Sequence, residues 1–240
     1  MKDWKGNKNA IQAQKGIKPD NTTKGRQDVD FYATPPKALE MLLDHSSTWL
    51  QSMLDSCQRG YNGNIQLIKN KKFRTFLNQI WECACGTGNL YKVLEERDFW
   101  VVGTDITDHG CDIIKHKGML HKDFLQQTST FCWDYNISVI LTNPPFRYAT
   151  EFIKHALDIL PENGLYIAFM NITYLAGKQR YLDVYRYGRL REVYVFSKRM
   201  DVWRNGVPGQ TKVGMMDFAW FVFQKGYVGE CSLYWLYEYE

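Results

Sequence analysis

The segment Asn143-Pro144-Pro145-Phe146 combines residue types suited to chemistry on an amino group. It directly follows an apolar run at residues 137–142, which predicts a buried strand. Each proline fixes φ and lacks an N–H donor, so the pair ends the strand and stiffens the backbone. An amide carbonyl, a peptide carbonyl and an aromatic ring are thereby presented together. Open α/β sheets bind ligands at the carboxyl ends of their strands, which favours a functional role over a plain proline-rich turn.

A second candidate is the glycine-rich stretch ECACGTGNL, from Glu82 to Leu90. It follows the predicted strand 79–84 and opens a predicted helix. Gly86 and Gly88 would let the backbone approach a ligand closely, and the helix start would expose N–H groups. Tyr91 stands where a dinucleotide-binding fingerprint has its third glycine, and no lysine follows the glycines as in a phosphate-binding loop. The stretch therefore argues against a nicotinamide or flavin dinucleotide.

Two aspartates extend this pattern. Asp105 ends the predicted strand 100–105, where a carboxylate commonly accepts hydrogen bonds from ribose hydroxyls. Alone it would be interpreted as the cap of the next turn, but the upstream glycines favour ribose binding. Asp123 is placed to meet an adenine amino group, and an ordinary surface loop is an equally good interpretation.

Alternating strands and helices must position these residues. Six short, nearly continuous apolar runs are typical of strands buried on both faces. The predicted strands are 79–84, 100–105, 137–142, 164–170, 191–197 and 217–225. The predicted helices are 88–97, 148–160, 175–187 and a first helix capped by Thr34 and running to Leu54. This order predicts a mostly parallel sheet with helices on both faces. The irregular loop 198–216 predicts an antiparallel strand inserted at one edge.

Composition limits the class of protein. The chain has 240 residues and a net charge of +4. Its first 30 residues hold six lysines and one arginine against four aspartates. We therefore predict a basic flexible arm at 1–29 and a single domain at 30–240. The arm suits an anionic partner or a merely solvated tail. Six scattered cysteines predict reduced thiols and no metal site. Without an apolar run of about 18 residues or a secretory signal, we expect a soluble cytoplasmic protein with no membrane partner.

Three segments in order resemble a known family. They are Asp30 to Pro36 (DFYATPP), Glu82 to Gly88, and Asn143 to Phe146. The chain resembles class I S-adenosylmethionine-dependent methyltransferases, specifically those that modify adenine N6 in DNA. The motif order is similar to the gamma arrangement that type I modification subunits share. The resemblance, over about residues 30–225, implies a Rossmann-like seven-stranded sheet, mostly parallel, with one antiparallel edge strand and helices on both faces.

The resemblance also implies roles for individual residues. The cofactor would be S-adenosyl-L-methionine. Asn143 Oδ1 and the Pro144 carbonyl would accept the N–H bonds of the adenine amine, beside Pro145, and Phe146 would stack on the base. The base would be flipped out of the DNA duplex. Cofactor contacts would come from Phe31, Tyr32, Thr34, Glu82, Cys83, Ala84, Gly86, Gly88, Asp105, Ile106, Asp123, Phe124 and Asn143.

Several questions stay open at this stage. The same catalytic tetrapeptide would also serve a methyltransferase acting on RNA or on protein glutamine, and a non-catalytic nucleoside- or DNA-binding subunit is a third alternative. Phe31 and Tyr32 could instead form a hydrophobic staple ahead of the first helix. We expect DNA contacts from the arm, the basic cluster Lys69 to Arg74 and the loop 199–216, which contains Trp203, Arg204 and Lys212. Nothing of substantial size follows residue 225, so a separate specificity subunit is a further candidate partner.

Overall fold

The structure is a computed structural model that describes residues 32–59, 78–187, 189–204, 206–207 and 217–237. The predicted arm at 1–29, the cluster Lys69 to Arg74, Phe31 and Lys212 lie outside the described residues. The side chain of Arg204 is also outside the description.

A seven-stranded sheet forms the centre of the described domain. Its members are β2 (Gln79–Glu82), β3 (Val101–Gly103), β4 (Ile137–Thr142), β5 (Leu165–Asn171), β6 (Leu190–Phe196), β8 (Phe218–Gln224) and β9 (Ser232–Leu236). Their order across the sheet is β3-β2-β4-β5-β8-β6-β9. The contacts β2–β3, β2–β4, β4–β5 and β6–β9 are parallel. All six predicted strands are present.

The predicted fold class, a mostly parallel Rossmann-like sheet with one antiparallel strand, is confirmed. The antiparallel strand is β8, which pairs with β5 on one side and β6 on the other. It lies inside the sheet rather than at the edge, because β6 and the unpredicted β9 both lie beyond it. β9 was not predicted, and its residues are mostly exposed in the structure.

Helices cover both faces of this sheet. They are α1 (Pro36–His45), α2 (Thr48–Asp55), α3 (Asn89–Glu96), α4 (Asp112–His116), α5 (Ser129–Asp134), α6 (Ala149–Ile159) and α7 (Lys178–Asp183). One buried cluster joins α1, α2 and α3 to one face, and a second joins α5 and α6 to the other. Side chains alternate between them along β4, with Val139 and Leu141 in the first cluster and Ile140 in the second. Burial on both faces explains the continuous apolar runs.

The first predicted helix is wrong in two respects. It is divided at Ser46-Ser47 into α1 and α2. Ser47 Oγ accepts a hydrogen bond from Leu50 N at 3.0 Å and donates to Glu192 Oε1 at 2.8 Å, so it caps α2 and ties the break to β6. Thr34 is not the N-cap, because α1 begins at Pro36 with Pro35 in the capping position.

The predicted helix 175–187 is also interrupted. Its residues form α7 flanked by 3₁₀ turns at Ile172–Leu175 and Tyr185–Tyr187. Gly177 immediately before α7 has φ +125°, which breaks the helical path. Further 3₁₀ turns occupy Phe124–Gln126 and Phe146–Tyr148.

A separate two-stranded ribbon joins distant parts of the sequence. β1 (Tyr32–Ala33) pairs antiparallel with β7 (Trp203–Arg204). The ribbon thereby links the start of the described domain to the loop that the sequence left irregular. Within the described ranges, no helix has the length and apolar character needed to cross a bilayer.

Candidate functional site

Three predicted site residues lie at the carboxyl ends of adjacent parallel strands. Glu82 is the last residue of β2, Asp105 follows β3 and Asn143 follows β4. Because β2 pairs in parallel with both neighbours, these ends meet at one edge of the sheet. This edge is the usual ligand position in open α/β sheets.

Asn143 is oriented by the ribbon strand β1. Its Nδ2 donates a hydrogen bond to the main-chain oxygen of Tyr32 at 2.8 Å. A carbonyl oxygen can only accept, so the amide nitrogen must face Tyr32 and the amide oxygen must face elsewhere. Asn143 Oδ1 is buried and has no hydrogen-bond partner among the described residues. A buried unpaired acceptor costs about 1–3 kcal/mol, which points to a donor supplied by a ligand.

Both glycines of the glycine-rich loop adopt left-handed backbone conformations. Gly86 and Gly88 have φ of +54° and +83°, values that favour glycine. A Cβ on Gly88 would lie 2.8 Å from Cys111 Sγ, so a side chain is excluded there for a second reason. Gly88 is also the residue from which α3 begins. The loop therefore passes from β2 into α3 with no side chain at either glycine.

Asp105 is fixed by two main-chain donors. Oδ2 accepts from Gly86 N and Oδ1 from Thr107 N, each at 2.8 Å. Only 5% of the residue is exposed. Burial raises the pKa of Asp105, and these two hydrogen bonds oppose the rise. Each carboxylate oxygen has a further lone pair, so the group can still accept hydroxyl donors.

Glu82 is a second buried carboxyl group at this edge. Oε1 accepts from Thr142 Oγ1 at 2.6 Å and from Ala84 N at 3.3 Å. Burial raises the pKa of Glu82 to about 8, and the nearby Asp105 contributes to the rise. A carboxyl group with a pKa this high is mostly protonated near neutral pH, so Glu82 adds little negative charge to this edge.

Thr34 and Asn89 connect the segment before α1 to the glycine-rich loop. Asn89 Nδ2 donates to the main-chain oxygen of Thr34 at 3.0 Å. The Thr34 hydroxyl is buried and, among the described residues, has no partner. It is the second unpaired polar atom at this site, after Asn143 Oδ1.

Phe146 already lies in an aromatic group. Its ring stacks on Tyr32 with centroids 5.3 Å apart and lies 6.0 Å from Phe218 at a tilt of 34°. Pro144 is buried behind it, while Pro145 is half-buried. Tyr32 therefore supports the ring predicted to stack on a base.

Other predicted cofactor contacts take different positions. The Phe124 ring packs 5.1 Å from Trp81 and 4.7 Å from Phe152 in the core, so any cofactor contact would have to use its main chain. The Cys83 side chain is buried in the same cluster. Asp123 Oδ1 accepts from Leu125 N at 3.0 Å and caps its own 3₁₀ turn.

A backbone hydrogen bond nevertheless brings this region near the site. Lys122 N donates to the main-chain oxygen of Asp105 at 3.0 Å, which brings the neighbouring Asp123 to the end of β3.

The remaining predicted cofactor contacts are Ala84 and Ile106. Ala84 lies in the glycine-rich loop itself. Ile106 directly follows Asp105 and is 58% exposed, as a residue that covers an apolar ligand would be.

Sequence reasoning missed Thr142 and Asn89. Thr142 was counted only as the end of a strand, although its position directly before Asn143 was a usable signal. Asn89 was noted only as part of the glycine-rich stretch. The pairing of Tyr32 with β7 could not be predicted from the local sequence, because β7 contains only two residues.

No protein-family model and no curated protein sequence matches the chain. Solved structures with a similar fold include a Listeria monocytogenes protein assigned to the class I S-adenosylmethionine-dependent methyltransferases. That likeness has 13% identity and a TM-score of 0.47, over 84% of this chain and 72% of that one.

Two restriction enzymes are among the other similar structures. One is the M protein of the type I restriction enzyme EcoKI, at 14% identity and a TM-score of 0.43, over 67% of this chain and 44% of that one. The other is the type IIG restriction endonuclease BpuSI, at 15% identity and 0.45, over 64% of this chain and 23% of that one. The matched part is thus less than half of either enzyme's chain. Identities this low indicate similarity of fold alone.

Proposed function

We propose that this protein transfers a methyl group from S-adenosyl-L-methionine to the N6 amino group of adenine in DNA. The observation that supports this most directly is the unpaired, buried Oδ1 of Asn143. An exocyclic amine offers the N–H donor that this oxygen lacks. Tyr32 fixes the other end of the amide at 2.8 Å, so the acceptor is preorganised for its donor.

The residues at the strand ends fit the cofactor. Asp105 would accept hydrogen bonds from the ribose hydroxyls. The absence of side chains at Gly86 and Gly88 would let the backbone approach the cofactor closely. The buried Thr34 hydroxyl offers one further unsatisfied polar atom.

The chemistry requires little beyond positioning. S-adenosyl-L-methionine supplies a methyl group on a positively charged sulfur. Asn143 Oδ1 and the Pro144 carbonyl would accept the two N–H bonds of the adenine amine and favour a more tetrahedral nitrogen. Phe146, held against Tyr32, would stack on the extruded base. Such preorganised acceptors and fixed geometry can supply most of the acceleration in a transfer of this kind.

The test is methyl transfer from labelled cofactor to four substrates in parallel: duplex DNA, single-stranded DNA, RNA and protein. We expect label in DNA at adenine N6. The Asn143→Ala variant should lose about 10²–10³-fold in rate while cofactor affinity by calorimetry is unchanged. Asn171→Ala is the matched control, since Asn171 ends the adjacent β5 and its Oδ1 is already bonded to Thr173 N at 2.9 Å.

Each other outcome selects an alternative. Label in RNA or in protein glutamine would replace adenine in DNA as the acceptor. Cofactor binding without transfer to any substrate would favour a non-catalytic subunit of a modification complex. Full activity of Asn143→Ala would contradict the mechanism.

A further inference from the structure

Three basic residues follow β4 and β5 near the catalytic tetrapeptide: Arg147 and Lys178 are exposed, and Arg180 is partly buried. Arg147 comes directly after Phe146, beyond β4. Lys178 and Arg180 lie in α7, after β5. Because β4 and β5 are adjacent and parallel, both segments leave the sheet at the same edge as Asn143.

Each arginine lies across a tyrosine ring. The guanidinium carbon of Arg147 is 4.9 Å from the ring centre of Tyr148, and that of Arg180 is 4.6 Å from the centre of Tyr174. Arg180 also donates from NH1 to the main-chain oxygen of Thr173 at 2.8 Å. Stacking through the flat face leaves other N–H groups at the edge of the guanidinium available to an external acceptor.

A hydrogen bond joins the two arginine-bearing segments. Tyr174 OH and Thr150 Oγ1 lie 2.6 Å apart, which ties the turn after β5 to the first turn of α6. The ring beneath Arg180 is thereby fixed to the helix that begins two residues after Arg147. The basic groups therefore belong to one surface.

Within the described ranges, these three cations form no ion pair with a carboxylate. Elsewhere in the described ranges basic groups form ion pairs, such as Arg97–Asp44 at 2.7 Å and Lys115–Asp108 at 3.1 Å. Among the described residues, no ion pair involves Arg147, Lys178 or Arg180. The exposed Glu151 on α6 is the acid nearest to Arg147 in the sequence, and it forms no ion pair with these groups in the part of the chain described here.

We propose that Arg147, Lys178 and Arg180 bind the phosphates of the nucleic acid strand whose target base enters the site. This inference rests on the proposed function and names the surface that grips the substrate. The positive charges of these three side chains would attract the negatively charged backbone of a nucleic acid. An arginine guanidinium group can also donate two parallel hydrogen bonds to the oxygens of one phosphate. The half-exposed Tyr148 ring adds a face on which a neighbouring base can stack.

Salt-dependent binding of the full chain to a fluorescent adenine-containing duplex tests this surface. Each phosphate contact contributes roughly −0.9 to the slope of log affinity against log salt. The double variant Arg147→Ala/Arg180→Ala should therefore flatten the slope by about 2, and adding Lys178→Ala by about 1 more. Glu151→Gln should tighten binding, because it removes a repulsive charge.

A control double variant removes two positive charges from another part of the protein. Lys92→Ala/Arg97→Ala alters α3 and its C-terminal end and should leave the slope close to that of the unmodified chain. A double variant that behaves like this control would refute the surface while leaving the proposed function intact. An acidic peptide that competes as well as DNA would also overturn it. Failure of the unmodified chain to bind any nucleic acid would instead contradict the proposed function.

Discussion

The Thr142 hydroxyl donates a hydrogen bond to the Glu82 carboxyl group at 2.6 Å, across the adjacent strands β4 and β2. Both residues are almost completely buried. The glycine-rich loop begins directly after Glu82, and Asn143 directly follows Thr142. This bond therefore fixes the end of β2 to the end of β4.

Replacing Thr142 by Val removes the hydroxyl and nearly preserves the volume. We expect the free energy of unfolding to fall by about 1–3 kcal/mol, because the buried Glu82 loses a donor. We also expect a lower kcat through displacement of Asn143. Thr142→Ser keeps the hydroxyl and should recover most of kcat. Urea denaturation and initial rates measure both effects, and equal kcat for the Val and Ser variants would exclude the positioning role.

Asp105→Ala should weaken cofactor binding by about 1.5–3 kcal/mol, because charge-assisted hydrogen bonds to ribose would be lost. Titration calorimetry with S-adenosyl-L-methionine measures the change. Asp108→Ala is the control, since Asp108 is a nearby acid whose carboxylate forms an ion pair with Lys115 at 3.1 Å. Similar affinities of the two variants would remove Asp105 from the cofactor site.

The buried carboxyl group of Glu82 predicts a pH dependence of stability. Its pKa is about 8 in the folded protein against about 4.5 when unfolded, so the folded state holds an additional proton between these values. The contribution of Glu82 to the free energy of unfolding therefore falls as pH rises from about 4.5 to about 8, then levels off.

Glu82→Gln isolates this effect, because the amide keeps an oxygen for the Thr142 hydroxyl and does not titrate. The difference in free energy of unfolding, unmodified minus variant, should decrease between pH 5 and pH 8 in urea titrations. Titrating groups that do not interact with Glu82 cancel in this difference. A constant difference over that range would mean that Glu82 is ionised in the folded protein.

Phe146→Ala should weaken binding of a target strand by about 1–3 kcal/mol, the usual loss when a base–aromatic stack is removed. Phe146→Tyr retains the ring and should bind normally. A duplex with 2-aminopurine at the target position reports base extrusion by its fluorescence. Cofactor affinity should not change in either variant. Equal fluorescence for the Ala and Tyr variants would exclude base stacking by Phe146.

Much of the fold was predictable because its strands are buried on both faces. Ile140 and Leu141 face opposite buried clusters, and such strands appear as continuous apolar runs. The strand β9 was not predicted, although residues 233–236 form a short apolar run with high β propensity. In the structure, Leu233 and Trp235 are more than half exposed on this edge strand. The break between α1 and α2 depends on Ser47 contacting the distant Glu192, which no local pattern contains.

The candidate site was likewise predictable only in part. Residue types and spacing predicted Glu82, Asp105 and Asn143, and their strand ends meet as parallel pairing requires. The partner that orients Asn143 was beyond prediction, because it is a main-chain oxygen of Tyr32 and depends on tertiary structure. Whether these residues bind the cofactor stays a prediction until the experiments above are done.

The ribbon between β1 and β7 has a consequence for the order of folding. Tyr32, which orients Asn143, is held by residues near Trp203, and these are synthesised long after both. Contacts between such distant segments form only after a large loop has closed. A chain emerging from the ribosome can therefore build β2, β3 and β4 well before the ribbon strand that orients Asn143 has its partner. We expect the Asn143 amide to reach its final position only after residues near Trp203 have been synthesised.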